Sequence, residues 1–134
     1  MDEGLLSQLV LSYTAYLLTG LALLALFFVV YTRLTPYEER RHVREGNVAV
    51  AVFFSGAMLG FTATIASGIL THVNYASFVG WSISALVVQL LVYAVMDRMF
   101  PNLKQALESG NVAVGTLGGA AALSAGLINA ACVF

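Results

Sequence analysis

The 134-residue chain is 60% hydrophobic and only 10% charged, with a mean hydropathy of +0.87 and a formal net charge of −1. Soluble domains carry about 25% charged residues, so this composition excludes a water-covered enzyme domain, a nucleic-acid binder and a disordered tail. One cysteine, Cys132, excludes an internal disulfide and a cysteine-rich zinc site. A helix needs ~20 apolar residues to cross a bilayer, and the chain holds several such runs. It reads as an all-α integral membrane protein.

The first run, residues 4–32, has no charged side chain, and it predicts a span near 9–33. Its leading end is acidic (Asp2, Glu3), with no basic segment, so a cleaved signal peptide is not expected. A polar linker follows. Thr35-Pro36-Tyr37-Glu38 has the order of an N-cap, a first-turn proline and a capping-box glutamate, which predicts a short helix lying at the interface. Gly46 is placed to end that helix in a left-handed cap, and Asn47 to cap the next span.

Residues 46–96 contain no Asp, Glu, Lys or Arg and a single histidine, His72, and are long enough for two spans, near 47–71 and 75–98, joined by Thr71-His72-Val73-Asn74. A second polar linker holds Pro101, with Leu103, Ala106 and Leu107 on one apolar edge, and ends in Gly110-Asn111. The uncharged stretch 109–134 supplies a fourth span near 111–133. All six basic residues lie on the linkers: Arg33, Arg40, Arg41 and Arg44 on the first, Arg98 and Lys104 on the second. The positive-inside bias predicts cytoplasmic linkers (34–46 and 99–110) and both termini outside.

The two halves repeat. Gly46-Asn47-Val48-Ala49-Val50 recurs as Gly110-Asn111-Val112-Ala113-Val114, 64 residues later. One membrane domain therefore consists of two hairpins, 9–71 and 75–134. Each crosses twice, so the repeats are parallel. Small residues (Gly, Ala, Ser, Thr) make up 13 of 24 positions in 48–71 and 13 of 23 in 112–134, but only 4 of 15 in 17–31 and 7 of 22 in 75–96. Spans two and four are thus the packed interior or oligomer-facing helices, and one and three the more lipid-facing ones. Gly56, Gly60, Thr64 and Gly68 form one stripe, and Gly118, Ala122, Gly126 and Ala130 another; both are candidate contacts for a homo-oligomer.

The doubled Gly-Asn-x-Ala pattern in a four-span chain resembles the YjfL-like bacterial inner-membrane proteins, domain of unknown function 350. The residues that carry it are Glu45-Gly46-Asn47-Val48-Ala49 and Gly60, then Glu108, Gly110-Asn111-Val112-Ala113, Gly126 and Ile128-Asn129-Ala130. The resemblance implies a bacterial inner membrane. It implies no particular activity.

No constellation for catalysis, cofactor or metal binding is apparent, and an enzyme is not expected. Glu39-x-x-His42 has the spacing of a di-iron helix motif, but the second half lacks a matching pair. The cluster Glu38, Glu39, His42 and Glu45 therefore reads as a solvated face. His72 reads as a solvated turn residue and Cys132 as a packing residue. Thr62, Thr64, Ser67, Gln89, Ser124 and Asn129 read as interhelical glue. Asn47 and Asn111 are helix caps that could also line a cytoplasmic vestibule. The absence of Asp, Glu, Lys and Arg in mid-membrane argues against a coupled transporter. Two functions stay open: a passive ion or small-solute conduit, or a scaffold in the bilayer whose basic linkers recruit a cytoplasmic protein or anionic lipid.

Overall fold

The computed structural model describes residues 2–71 and 74–133, so the predicted turn histidine, His72, lies outside the described residues. Six helices follow one another: α1 (Glu3–Leu34), α2 (Glu39–Arg44), α3 (Val48–Leu70), α4 (Tyr75–Met99), α5 (Leu103–Glu108) and α6 (Val112–Ala131). The four long ones are each long and apolar enough to cross a membrane. α1 begins earlier than the span expected at residue 9, because Asp2 caps its first turn by accepting from the Gly4 N–H.

The centre of the bundle is the α3–α6 pair, and glycine sets its closeness. A Cβ at Gly60 would lie 2.6 Å from the Ala122 carbonyl oxygen, and one at Gly119 would lie 2.5 Å from that of Val52. Gly56 meets the Gly119 backbone, Gly115 meets Ala49, and Gly126 meets Gly60. A side chain at any of these points overpacks the contact. The facing residues are near-equivalents in the two repeats, so α3 and α6 run parallel about an approximate two-fold axis.

Of the two roles expected for the small-residue stripes, the structure shows the packed interior: Gly56, Gly60, Thr64, Gly68 and Gly118, Ala122, Gly126, Ala130 are buried inside a single chain. Stripes used in this way are not available as the surface for a homo-oligomer. Polar side chains reinforce the same seam: Ser67 donates to the Ala130 carbonyl (2.7 Å), Asn129 to Thr64 (2.9 Å) and Gln89 to the Ala122 carbonyl (3.1 Å).

α4 packs against both α3 and α6, while α1 packs mainly on α3. That contact is aromatic, with Phe27 stacked on Phe61 at 4.7 Å and edge-on pairing of Phe28 with Phe54 at 5.5 Å. α1 and α4 stay largely exposed, as befits lipid-facing helices.

Candidate functional site: a buried carboxyl and an arginine recess at the first linker

The two linkers use the same local device. In the first, the Gly46 N–H donates to the Val43 carbonyl (3.0 Å) and the Asn47 N–H to that of His42 (2.8 Å). In the second, Gly110 donates to Leu107 (3.1 Å) and Asn111 to Ala106 (2.9 Å). These are paired Schellman closures. They require the left-handed backbone that Gly46 (φ 83°) and Gly110 (φ 85°) adopt. Each asparagine then caps the next span, with Asn47 Oδ1 accepting from Val50 (3.1 Å) and Asn111 Oδ1 from Val114 (3.2 Å). The expected caps are present in both repeats.

Beyond that the asparagines differ. Asn47 Nδ2 donates to the carbonyls of Leu107 (2.9 Å) and Glu108 (3.2 Å), so it ties the start of α3 to the end of α5. Asn111 is exposed. Asn47 thus engages helix termini with both ends of its amide.

The capping box expected at Thr35-Pro36-Tyr37-Glu38 does not form. Pro36 holds the preceding residue extended (φ −80°, ψ 143°), so Thr35 closes α1 instead, donating its N–H to the Tyr31 carbonyl at 3.1 Å. α2 starts only at Glu39, and Glu38 makes no side-chain cap.

The second correction carries more chemistry. Glu39 and His42, expected on a solvated face, are 2% and 6% exposed. The Thr35 hydroxyl donates to Glu39 Oε1, while Glu39 Oε2 has no hydrogen-bond partner. The buried hydroxyls of Tyr37 and Tyr93 are also without one. Tyr31, Thr35 and Tyr37 are likewise buried, the two tyrosine rings within the apolar clusters of the bundle, so polar groups here are enclosed at the edge of the hydrocarbon core. Burial pushes the Glu39 carboxyl up to about 7, against the lowering effect of the Thr35 bond. Burial raises the Tyr37 phenol too, with the neighbouring Tyr31, Glu39 and Tyr93 adding to it.

Next to this group a recess of about 600 Å³ opens between α1 and α2. Its rim carries Arg33, Arg40, Arg41 and Arg44, with Glu38 and Glu39 beside them. Among the described residues only Arg41 of the four has an ion-pair partner, Glu38 at 3.9 Å. Arg98 and Lys104 belong to the other linker, where Lys104 pairs with Glu108 at 3.9 Å. The sequence places the four arginines on one linker, and the fold brings them around a single recess. The usable signal was density: Arg40, Arg41 and Arg44 fall within one six-residue helix.

No solved structure matches the chain. Among curated proteins, the inner membrane protein YjfL of Escherichia coli (strain K12) is 34% identical over 123 residues, 92% of this chain and 93% of that protein. The transmembrane protein YshE of Bacillus subtilis (strain 168) is 30% identical over 103 residues, 75% of this chain and 77% of its own. Residues 4–133 match the family described as Domain of Unknown Function (DUF350). With four spanning helices and relatives named for the inner membrane, the chain is an integral inner-membrane protein that belongs to the DUF350 family.

Proposed function

We propose that this protein is a membrane scaffold whose first linker faces the cytoplasm and engages an anionic partner. The carrying observation is the recess with Arg33, Arg40, Arg41 and Arg44 on its rim. Three of these guanidiniums are left to attract an incoming anion, and arginine suits carboxylate and phosphate geometry. The orientation rests on the confinement of all six basic residues to the two linkers and the last helical turns leading into them. The bonds that Ser67, Gln89 and Asn129 make within the helical bundle support a closed bundle rather than a conduit, since these groups face neighbouring helices. The reading assigns no catalysis and takes a single chain as the unit.

Two measurements on purified protein test it. Reconstituted into liposomes, it is expected to pass K⁺, Cl⁻ and glycerol no faster than empty vesicles do. In neutral detergent, polyglutamate or an anionic lipid should raise its melting temperature, and Arg40→Gln with Arg44→Gln should remove that rise. Flux above background, lost on substitution at Asn47 or Asn111, would establish the conduit instead.

A further inference from the structure

The arginine recess continues inward. A groove of about 390 Å³ lies between α1, α2 and α3, and it shares Phe28, Glu39, Arg40 and Arg44 with the recess. Its deeper wall is apolar, formed by Ala51, Phe54 and Met58 of α3. Arg40 and Arg44 therefore stand where a charged mouth meets a hydrocarbon slot. The slot runs between two membrane-spanning helices, so acyl chains are its natural surroundings.

We infer that this continuous surface binds one anionic phospholipid, with its phosphate on the arginine rim and one acyl chain along Phe28, Phe54 and Met58. This rests on the reading of the linker as an anion-binding element and names the partner. Charge complementarity selects the headgroup: a zwitterionic lipid would bring an ammonium among four guanidiniums. The slot selects a lipid over a soluble phosphate, which would leave that apolar wall unused.

The test follows thermal melts of detergent-purified full-length protein titrated with short-chain phosphatidylglycerol, phosphatidylcholine of equal chain length, and glycerol phosphate. Phosphatidylglycerol should raise the melting temperature most, and lengthening its chains should strengthen the effect. Arg40→Gln with Arg44→Gln should weaken that binding about thirtyfold, taking about 1 kcal/mol for each basic residue. Ser55 lines the groove and is exposed, so Ser55→Trp should fill the slot and abolish the lipid effect. If that variant melts abnormally without lipid, Ser55→Leu and the chain-length series on the unaltered protein decide. Glycerol phosphate acting as well as phosphatidylglycerol, with no chain-length dependence, would overturn the lipid assignment and leave the anion-binding linker standing. Failure of every anion, polyglutamate included, would overturn both.

Discussion

α2 and α5 hold equivalent places in the repeat, have six residues each, and end in the same Gly-Asn closure. Their first residues are Glu39 and Leu103, and both are buried, at 2% and 0% exposure. Around Leu103 the second linker builds an apolar cluster with Leu107, Val50, Phe53 and Met96, which the Tyr37 ring of the first linker joins. Glu39 instead meets the Thr35 hydroxyl and lies near the phenols of Tyr31 and Tyr37. The comparison separates what the fold requires from what it tolerates. A leucine suffices to seat this short helix, and a buried carboxyl with an unpartnered oxygen opposes folding. Glu39 and the adjoining arginines therefore answer to something other than stability.

The sharpest way to break this contrast is to empty one filling and replace the other. Leu103→Ala empties a fully buried position and should cost about 2–5 kcal/mol. Glu39→Leu should do the opposite and raise the melting temperature, while leaving the arginine rim in place. Thermal melts of both variants in one detergent give the comparison. A loss of stability in Glu39→Leu comparable with that in Leu103→Ala would make the carboxyl a structural element like its counterpart.

The asparagines come next, and they are equivalent in sequence but not in contacts. Asn111→Ala should cost the value of a cap, about 0.5–2 kcal/mol. Asn47→Ala should cost about 1 kcal/mol more, because it also releases the carbonyls of Leu107 and Glu108. Asp keeps the cap at either place. At position 47, however, it sets a carboxylate against two carbonyl oxygens, so Asn47→Asp should be destabilising where Asn111→Asp is tolerated. Equal melts for the two Asp variants would remove the bridge between α3 and α5.

The glycine closures should show no such asymmetry. Gly46→Ala and Gly110→Ala each place a side chain in the left-handed region, at a cost of about 1–2 kcal/mol. No atom lies within 4 Å of a Cβ at either position, so backbone strain alone should set both values. Two matching shifts in melting temperature would confirm that the linkers share one local geometry and differ only in what they enclose.

Much of this was legible in the sequence, because the relevant signals are local. Uncharged runs marked the spans, small-residue density marked α3 and α6, and the Gly-Asn pairs marked both closures. The facing of the stripes was not legible: a row of glycines allows close approach to any helix, and only the assembled bundle shows α3 and α6 using them on each other. Glu39 was misread for a related reason. Charge ordinarily means solvent, and nothing within residues 38–45 shows that Thr35 and Tyr31 reach over the carboxyl from α1. The repeat held the missing clue, since Leu103 at the equivalent place was already on an apolar edge. Even that transfer is incomplete, because α2 buries Glu39 and His42 while α5 buries Leu103 and Leu107, leaving Val43 exposed.

The comparison is also sharpened from the side of pH. In the unfolded chain the Glu39 carboxyl titrates near the ordinary glutamate value of 4.5, and in the folded protein it is pushed up to about 7. The folded state therefore holds this proton more tightly, and between those two values it binds more protons at this site than the unfolded state does. The resulting stabilisation is full below about 4.5 and is lost as pH rises through about 7. Tyr31 and Tyr37 from the first repeat and Tyr93 from α4 face this carboxyl, with Arg40 and Arg44 on the rim beside it. The melting temperature of the unaltered protein should thus fall between about pH 4.5 and 7 more steeply than that of Glu39→Gln, which has no proton to lose. Leu103 supplies the internal control, because Leu103→Met in the second linker should leave the pH profile unchanged. Superimposable profiles for the unaltered protein and Glu39→Gln would show that the carboxyl keeps its ordinary acidity despite its burial, and the distinction between the two linkers would then be one of shape rather than charge.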